Sequence, residues 1–400
     1  MRLLPLALSS LRNRAAVALL TLLAIAASVF LLVTVEKLRE GARSSFVTTI
    51  SGTDLIVGAP TSDIALLLYS VFHIGEPTGG IGWATYEAIE KRRGVDWAVP
   101  VALGDGHRGR RIVGTTADYF EHIRTGRERP LTFARGRAFE EGREVVLGSE
   151  VAETFGYELG RTVVASHGLG EVDFGRRHAG EPFTVVGILE PTGTPIDRSL
   201  LAPISAMSAI HGGGARPEQV TAVFLGLRSR IATLAIQRAL SRPGAEPVSA
   251  VLPGVAFARL WSVVGQVERT LLAISWLVVA VACIGLAVAI LASLEGRRRE
   301  IAILRGVGAA PADVVALLVF EAMVITLGGL ALGVLAAYAM LFGASGWLGT
   351  AIGVPFAPGS PGLRELFYLA IVALGGLVAG LVPAWRAYRT SLADGLISRG

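Results

Sequence analysis

EGRRREIAILRGVGA, residues 295–309, is a short basic segment set between two long apolar runs. Residues 271–294 precede it without a charge, and a second apolar region follows, charge-free from Ala322 to Phe342. A charged loop between two membrane helices is where a transporter receives force from a soluble motor.

Working outward, four apolar stretches stand out: 15–35, 271–294, 322–342 and 366–385. Each is close to the roughly 20 residues that a helix needs to cross about 30 Å of hydrocarbon. Core helices of soluble proteins rarely run this far without a charge. The 400-residue chain is 52% hydrophobic, with a mean hydropathy of +0.57. The expected fold is a membrane protein with four transmembrane α-helices and a large mixed α/β extracytoplasmic domain inserted between helices one and two.

Charge fixes an orientation. Residues 36–270 hold 26 of the 37 Lys and Arg and 26 of the 32 acids, so that region is neutral. The remaining 11 basic and 6 acidic residues account for the whole net charge of +5. The basic ones sit at Arg2, Arg12 and Arg14, at Arg297–Arg299 and Arg305, and at Arg386, Arg389 and Arg399, whereas 343–365 has only Arg364. By the positive-inside rule the two termini and the loop after residue 294 are cytoplasmic. The expected plan is a cytoplasmic N-terminus (1–14), span one (15–35), an outer domain ending in a stalk helix (36–270) and span two (271–294). A cytoplasmic loop (295–313), span three (314–342), an outer loop (343–365), span four (366–385) and a cytoplasmic tail (386–400) complete it. The basic pI thus follows from topology and does not indicate nucleic-acid binding.

The first apolar run has some marks of a cleavable signal, since Arg12 and Arg14 precede it and Ala24-Ile25-Ala26 resembles a cleavage site. It continues to Val35, too far for a signal core, which favours an uncleaved anchor. The single cysteine, Cys283, lies inside a span, so no disulfide framework is available to the outer domain. That domain must fold on its own core.

Within it, strand-like runs fall at 54–58, 111–114, 145–148, 162–166, 183–189 and 220–227, with helices at 83–93 and 229–240. The outer region is expected in two lobes, the first split by sequence because the chain must return to helix two. Residues 255–294 carry a helical pattern with no breaker. Such a helix is about 60 Å long at 1.5 Å per residue, a stalk able to carry motion across a membrane.

The chain contains no G-x-x-x-x-G-K-[ST] loop, and neither Lys37 nor Lys91 follows a glycine. If ATP drives this protein, a separate subunit binds it. The spans hold almost no ionisable groups beyond Glu321, read as interfacial, which argues against an ion-coupled carrier. Gly329 and Gly333, and Gly376 and Gly380, form G-x-x-x-G pairs suited to close helix packing. All six histidines lie in the outer region. His167 and His178 bracket Glu171 and Asp173 and are the candidate metal ligands, although solvated loop histidines fit the same pattern. Ser149 sits in LGSEV, not in a nucleophile motif, so enzymatic chemistry is not expected. The run ALLLYSVF (65–72) reads as buried core, or alternatively as an exposed apolar groove.

Taken together, these features resemble the MacB/FtsX-type ABC transporter permease family, also called the type VII fold. The likeness is carried by LSSLRNRAAVALLTLLAIAASVFLL (8–32) with GTDLIVGAP, by Arg299-Glu300-Ile301 and Gly308-Ala309 with Glu321-Ala322, and by PAWRAYRTSLADGL (383–396). The resemblance implies one half of a permease dimer, a homodimer or a pair with a related permease, served by separate ABC ATPase subunits that bind ATP and Mg. It places the ATPase-coupling residues at Glu295, Arg298, Arg299, Glu300, Arg305 and Gly308, in a helix that docks on the ATPase. It implies a multi-pass protein of a bacterial inner membrane, in contact with membrane lipids, that exports, extracts or releases a substrate, and a further envelope lipoprotein or adaptor as partner. Two alternatives stand beside it: a non-transporting regulator or scaffold of the same fold, and a system handling a metal ion or metal complex.

Overall fold

The computed structural model describes residues 15–49, 52–126, 128–140, 142–167, 182–214, 216–241, 246–296, 303, 306, 310–352 and 359–389. The chain divides into two compact units. One gathers Met1–Gly41, Gly265–Ser345 and Ala357–Gly400, and the other Ala42–Val264 with Gly346–Phe356.

The first long helix, α1, runs from Ala15 to Thr49. The inserted unit follows with β1 (Leu55–Gly58), α2 (Asp63–Val71) and α3 (Trp83–Glu90). Next come β2 (Val95–His107), β3 (Arg110–Thr115), β4 (Phe133–Gly136) and β5 (Glu144–Leu147). The unit closes with β6 (Phe183–Leu189), β7 (Leu200–Pro203), α4 (Ile204–Ile210), β8 (Ala222–Leu227), α5 (Thr233–Leu240) and β9 (Ser249–Val251).

These strands form one sheet in the order β9-β1-β8-β2-β3-β7-β5-β6-β4, with Thr162–Val163 and Ser166–His167 added beside β6 and β2. The two expected lobes therefore share a sheet. Strand β2 joins them, because its first half pairs with β8 and its second with β3. The split by sequence is visible at β1, which pairs with both β8 and β9 from the far end of the insertion.

Side-chain alternation explains why these strands read as continuous apolar runs. Leu55 and Val57 enter one core cluster, and Ile56 enters another on the opposite face. Val145 and Leu147 are likewise separated from Val146. Successive residues of a strand point to opposite faces, so a sheet covered on both sides needs apolar residues at every position. The ALLLYSVF run is α2, capped by Ser62, whose hydroxyl accepts from the Ala65 N–H at 3.1 Å. Leu66, Leu67, Tyr69 and Phe72 are buried, so the run is core and not an exposed groove.

Strand β2 is not among the runs expected from the sequence, and Pro100, Gly104 and Gly106 interrupt its strand pattern. The carbonyl of Pro100 accepts from Thr115 Oγ1, so its missing N–H falls on the β3 side, where pairing starts only at Ala102. The ladder to β8 loses nothing there. A register shift between Leu103 and Gly106 absorbs the glycines.

The other unit is a bundle of α1 with α6 (Pro253–Gly296), α7 (Pro311–Ile352) and α8 (Leu363–Arg389). Proline opens α6 and α7, where its absent N–H costs no helix bond. Asp313 caps α7 by accepting from Ala310 N at 2.9 Å. The stretches long and apolar enough to cross a membrane are Ala15–Gly41, Pro253–Ala292, Pro311–Ser345 and Leu363–Trp385. Ile25, Val29, Leu32, Leu286, Ala322 and Val372 are among the residues of the bundle core.

Every helix runs past the span read from hydropathy. The span limits mark where charges start, and helical backbone continues through charged residues. Thus α1 extends to Thr49, and α7 occupies the start of the stretch expected as an outer loop.

Candidate functional site

The charged connection between α6 and α7 lies mostly outside the described residues. Arg298, Arg299, Glu300, Arg305 and Gly308 fall there, and Glu295 is described only as part of the α6 backbone. Ile303 and Gly306 are both helical, and Ile303 is exposed. The loop is thus bounded by the end of α6 at Gly296 and the capped start of α7 at Pro311.

The four paired glycines lie where helices meet. A Cβ on Gly329 would stand 2.8 Å from Ile25 of α1, and one on Gly333 would stand 2.6 Å from the Ala26 carbonyl. On α8, a Cβ on Gly376 would stand 2.2 Å from Thr326 Oγ1, and one on Gly380 would stand 2.6 Å from Ala322 Cβ. These distances are shorter than van der Waals contact, so α7 approaches both α1 and α8 by virtue of missing side chains. Glu321 is buried, on the face of α7 that also buries Leu318, Ala322 and Ile325 in the bundle core.

The sequence reading overlooked a charged cluster on one turn of α1. Lys37 Nζ lies 3.3 Å from Glu365 Oε2 of α8 and donates to the Ser360 carbonyl at 2.8 Å. Tyr338 of α7 donates to the same Glu365 oxygen at 3.0 Å. Arg39 Nη1 donates to Glu36 at 3.0 Å, and its Nε lies 3.0 Å from Glu268 Oε1 of α6. That last contact is a meeting of charges, since Glu268 Oε1 has no aligned hydrogen-bond donor among the described residues. The Lys37 and Glu365 side chains are only 2% and 3% exposed. The signal was present as EKLRE at 36–40, Glu268 and Glu365. Each lies just beyond an apolar run, so the cluster looked like ordinary flanking charge.

In the inserted unit, a cleft of about 570 Å³ lies between β2 and α4, lined among others by Leu103, Asp105, Met207, His211 and Glu218. His211 Nδ1 donates to the Met207 carbonyl at 2.7 Å, and its Nε2 faces Asp105 Oδ2 at 3.4 Å. The two groups engage one another inside the cleft.

Elsewhere, Asp197 is buried and accepts from the Thr192 and Gly193 N–H groups at 2.8 and 2.7 Å. Burial pushes its carboxyl pKa up against those bonds, which pull it down. His73 adopts φ +55°. Ser199 Oγ donates to the Pro195 carbonyl, so the Nδ1–H of His73 is the donor in their 2.9 Å contact. Burial, and then the Arg111 guanidinium, push the pKa of His73 down to about 3. Of the candidate metal ligands, His167 ends a short strand beside β2, and His178 lies outside the described residues. Among the described residues no three metal-binding side chains come together.

Two family models match the chain: the MacB-like periplasmic core domain over residues 18–242 and the FtsX-like permease C-terminal domain over residues 272–392. The chain belongs to the MacB/FtsX family of ABC transporter permeases. The first model alone spans more than half of this permease, and the two meet the architecture of inserted α/β unit and helical bundle. It is a multi-pass membrane protein of a family that works with ABC ATPases. Among solved structures, the periplasmic region of MacB from Actinobacillus actinomycetemcomitans is 15% identical with a TM-score of 0.36, covering 52% of the permease and 92% of that chain. The extracellular domain of the noncanonic ABC-type transporter YknZ from Gram-positive bacteria is 16% identical with a TM-score of 0.33, covering 50% and 99%. The assignment rests on the family models. A comparison with curated proteins finds no match.

Proposed function

We propose that this permease transmits ATP-driven motion across a bacterial inner membrane to its inserted domain, to export, extract or release a substrate on the outer side. ATP and Mg bind to a separate ATPase subunit, which docks on the charged connection at Glu295, Arg298, Arg299, Glu300, Arg305 and Gly308. The permease works as a dimer, and an envelope lipoprotein or adaptor receives or presents the substrate. The termini are cytoplasmic, a placement that the distribution of Arg supports.

The observation that carries this reading is α6, a single helix from Pro253 to Gly296. Its 44 residues span about 66 Å at 1.5 Å each, roughly twice the hydrocarbon thickness. It joins the inserted segment to the charged connection without a break, so displacement at one end is delivered at the other. Among the described residues, the gap in the bundle lined by Ile25, Ser28, Val279, Ala282, Cys283, Thr326 and Val372 is too tight for a water molecule. The same observation fits a regulator that moves no substrate, and ATP-dependent release of a defined ligand separates the two.

The test is purification of the tagged chain from its native membrane in mild detergent, with mass spectrometry of co-eluting proteins and lipids. A stoichiometric ABC ATPase is the expected result. A chain that elutes alone, under conditions that preserve known complexes, overturns the reading.

A further inference from the structure

The turn Glu36–Glu40 of α1 meets all three other helices of the bundle: α8 through Lys37–Glu365, α6 through Arg39–Glu268, and α7 through the Lys37 ammonium set over the Tyr338 ring, 5.8 Å from its centre, with Tyr338 itself donating to Glu365. We infer that this turn is a clasp that hands motion of α7 and α8 to α1 and α6, the helices leading into and out of the inserted unit, with Lys37 and Glu365 as its positioning pair. The inference rests on the proposed transmission of motion and says where in the bundle it occurs.

Three observations support it. Apolar helix surfaces slide past one another in lipid at little cost, because lipid tails are as apolar as the side chains. A buried ion pair has a fixed length and direction, and separating it strands two charges away from water. The Lys37–Glu365 pair is of that kind for Glu365, which loses its cation on separation, while Lys37 also holds the exposed Glu40 carboxylate at 3.2 Å and the Ser360 carbonyl at 2.8 Å in the chain entering α8.

Second, the cluster is not electrically balanced. Among the described residues, three buried or largely buried carboxylates, Glu36, Glu268 and Glu365, and the more exposed Glu40 face two cations, Lys37 and Arg39. Oε1 of Glu365 is buried and has no hydrogen-bond partner among the described residues. A cluster built for stability alone would satisfy that oxygen. One held in place by the relative setting of four helices changes its pairing when they move.

Third, at the paired glycines the helices approach Ile25, Ala26, Thr326 and Ala322 through residues that carry no charge to pair. They allow close approach without fixing how far one helix has slid along the next. The clasp supplies the direction that those contacts lack.

The test uses the whole permease with its ATPase in lipid nanodiscs, in a Cys283→Ala background. Ile231, 94% exposed on the inserted unit, is changed to Cys and spin-labelled. The ATP-dependent change in label–label distance across the dimer is measured beside ATP hydrolysis. Lys37→Met alone leaves Glu365 buried and unpaired and is prone to misfold, so Lys37→Met/Glu365→Gln is the deciding variant. The expected result is retained hydrolysis with loss of the distance change, and its return in the charge swap Lys37→Glu/Glu365→Lys. A Lys37→Met/Glu365→Gln permease that moves like its parent overturns the clasp while leaving the transmission reading intact. A parent complex that hydrolyses ATP with no distance change overturns that reading and the clasp with it.

Discussion

The bundle and the inserted unit treat apolar side chains in opposite ways. In the inserted unit, Leu55, Ile56 and Val57 of β1 and Leu200 and Leu201 of β7 are all fully buried. In the bundle, Leu277, Val281 and Leu335 are more than 60% exposed. Their buried polar groups differ as well. Asp197 in the inserted unit is held by backbone N–H groups of its own loop, whereas Glu365 in the bundle is held by side chains from two other helices. The lesson concerns solvent. A unit folding in water gains from hiding apolar area, whereas helices in lipid gain little from it and depend on close approach and polar ties.

The largest effect that sharpens this contrast is expected at Lys37. Lys37→Met should lower the stability of the bundle by about 3–5 kcal/mol, because it strands a buried carboxylate. Lys37→Met/Glu365→Gln should recover most of that loss. Unfolding in detergent, followed by tryptophan fluorescence, measures both.

Next comes a matched pair of truncations. Leu201→Ala should cost about 2–5 kcal/mol, as expected for a fully buried leucine. Leu335→Ala, 68% exposed on α7, should change stability by no more than about 0.5 kcal/mol. Equal losses at the two sites would break the comparison.

Gly376→Val should cost about 1–3 kcal/mol by forcing α8 away from Thr326. Gly285→Val on α6, where a Cβ meets nothing within 4 Å, should be tolerated. Cross-linking between cysteines placed on α7 and α8 reports the separation directly.

An effect of a different kind is expected with pH, confined to the inserted unit. His73 has its pKa pushed down to about 3 from an ordinary value of 6.5. Above about pH 6.5 both folded and unfolded chains carry it neutral. As pH falls below that value the unfolded chain takes up a proton that the folded chain refuses, so stability is lost progressively toward pH 3. Asn tolerates a positive φ, so His73→Asn should flatten that part of the profile in melts recorded from pH 7 to pH 4.

Much of the architecture was legible in the sequence. The four membrane helices showed as charge-free runs, because a charge inside hydrocarbon is costly. The inserted α/β unit and strands such as β6 showed in their β-branched runs and punctuation. Helix ends did not, since helical backbone continues through charged residues once it leaves the lipid. Strand β2 was hidden by Pro100 and two glycines, whose disruption is absorbed by neighbours that only the folded sheet supplies. The clasp was hidden for a similar reason. Lys37 and Glu365 are 328 positions apart, and local pattern does not tell a flanking charge from one paired across the bundle. The proposed coupling residues rest on sequence alone.

The most direct test of transmission acts at those residues. Arg299→Glu/Glu300→Arg is introduced into the assembled complex, and ATP hydrolysis is recorded together with the ATP-dependent distance change of the Ile231 label. The account predicts that hydrolysis continues while movement of the inserted unit is lost. Movement equal to that of the parent complex would contradict it.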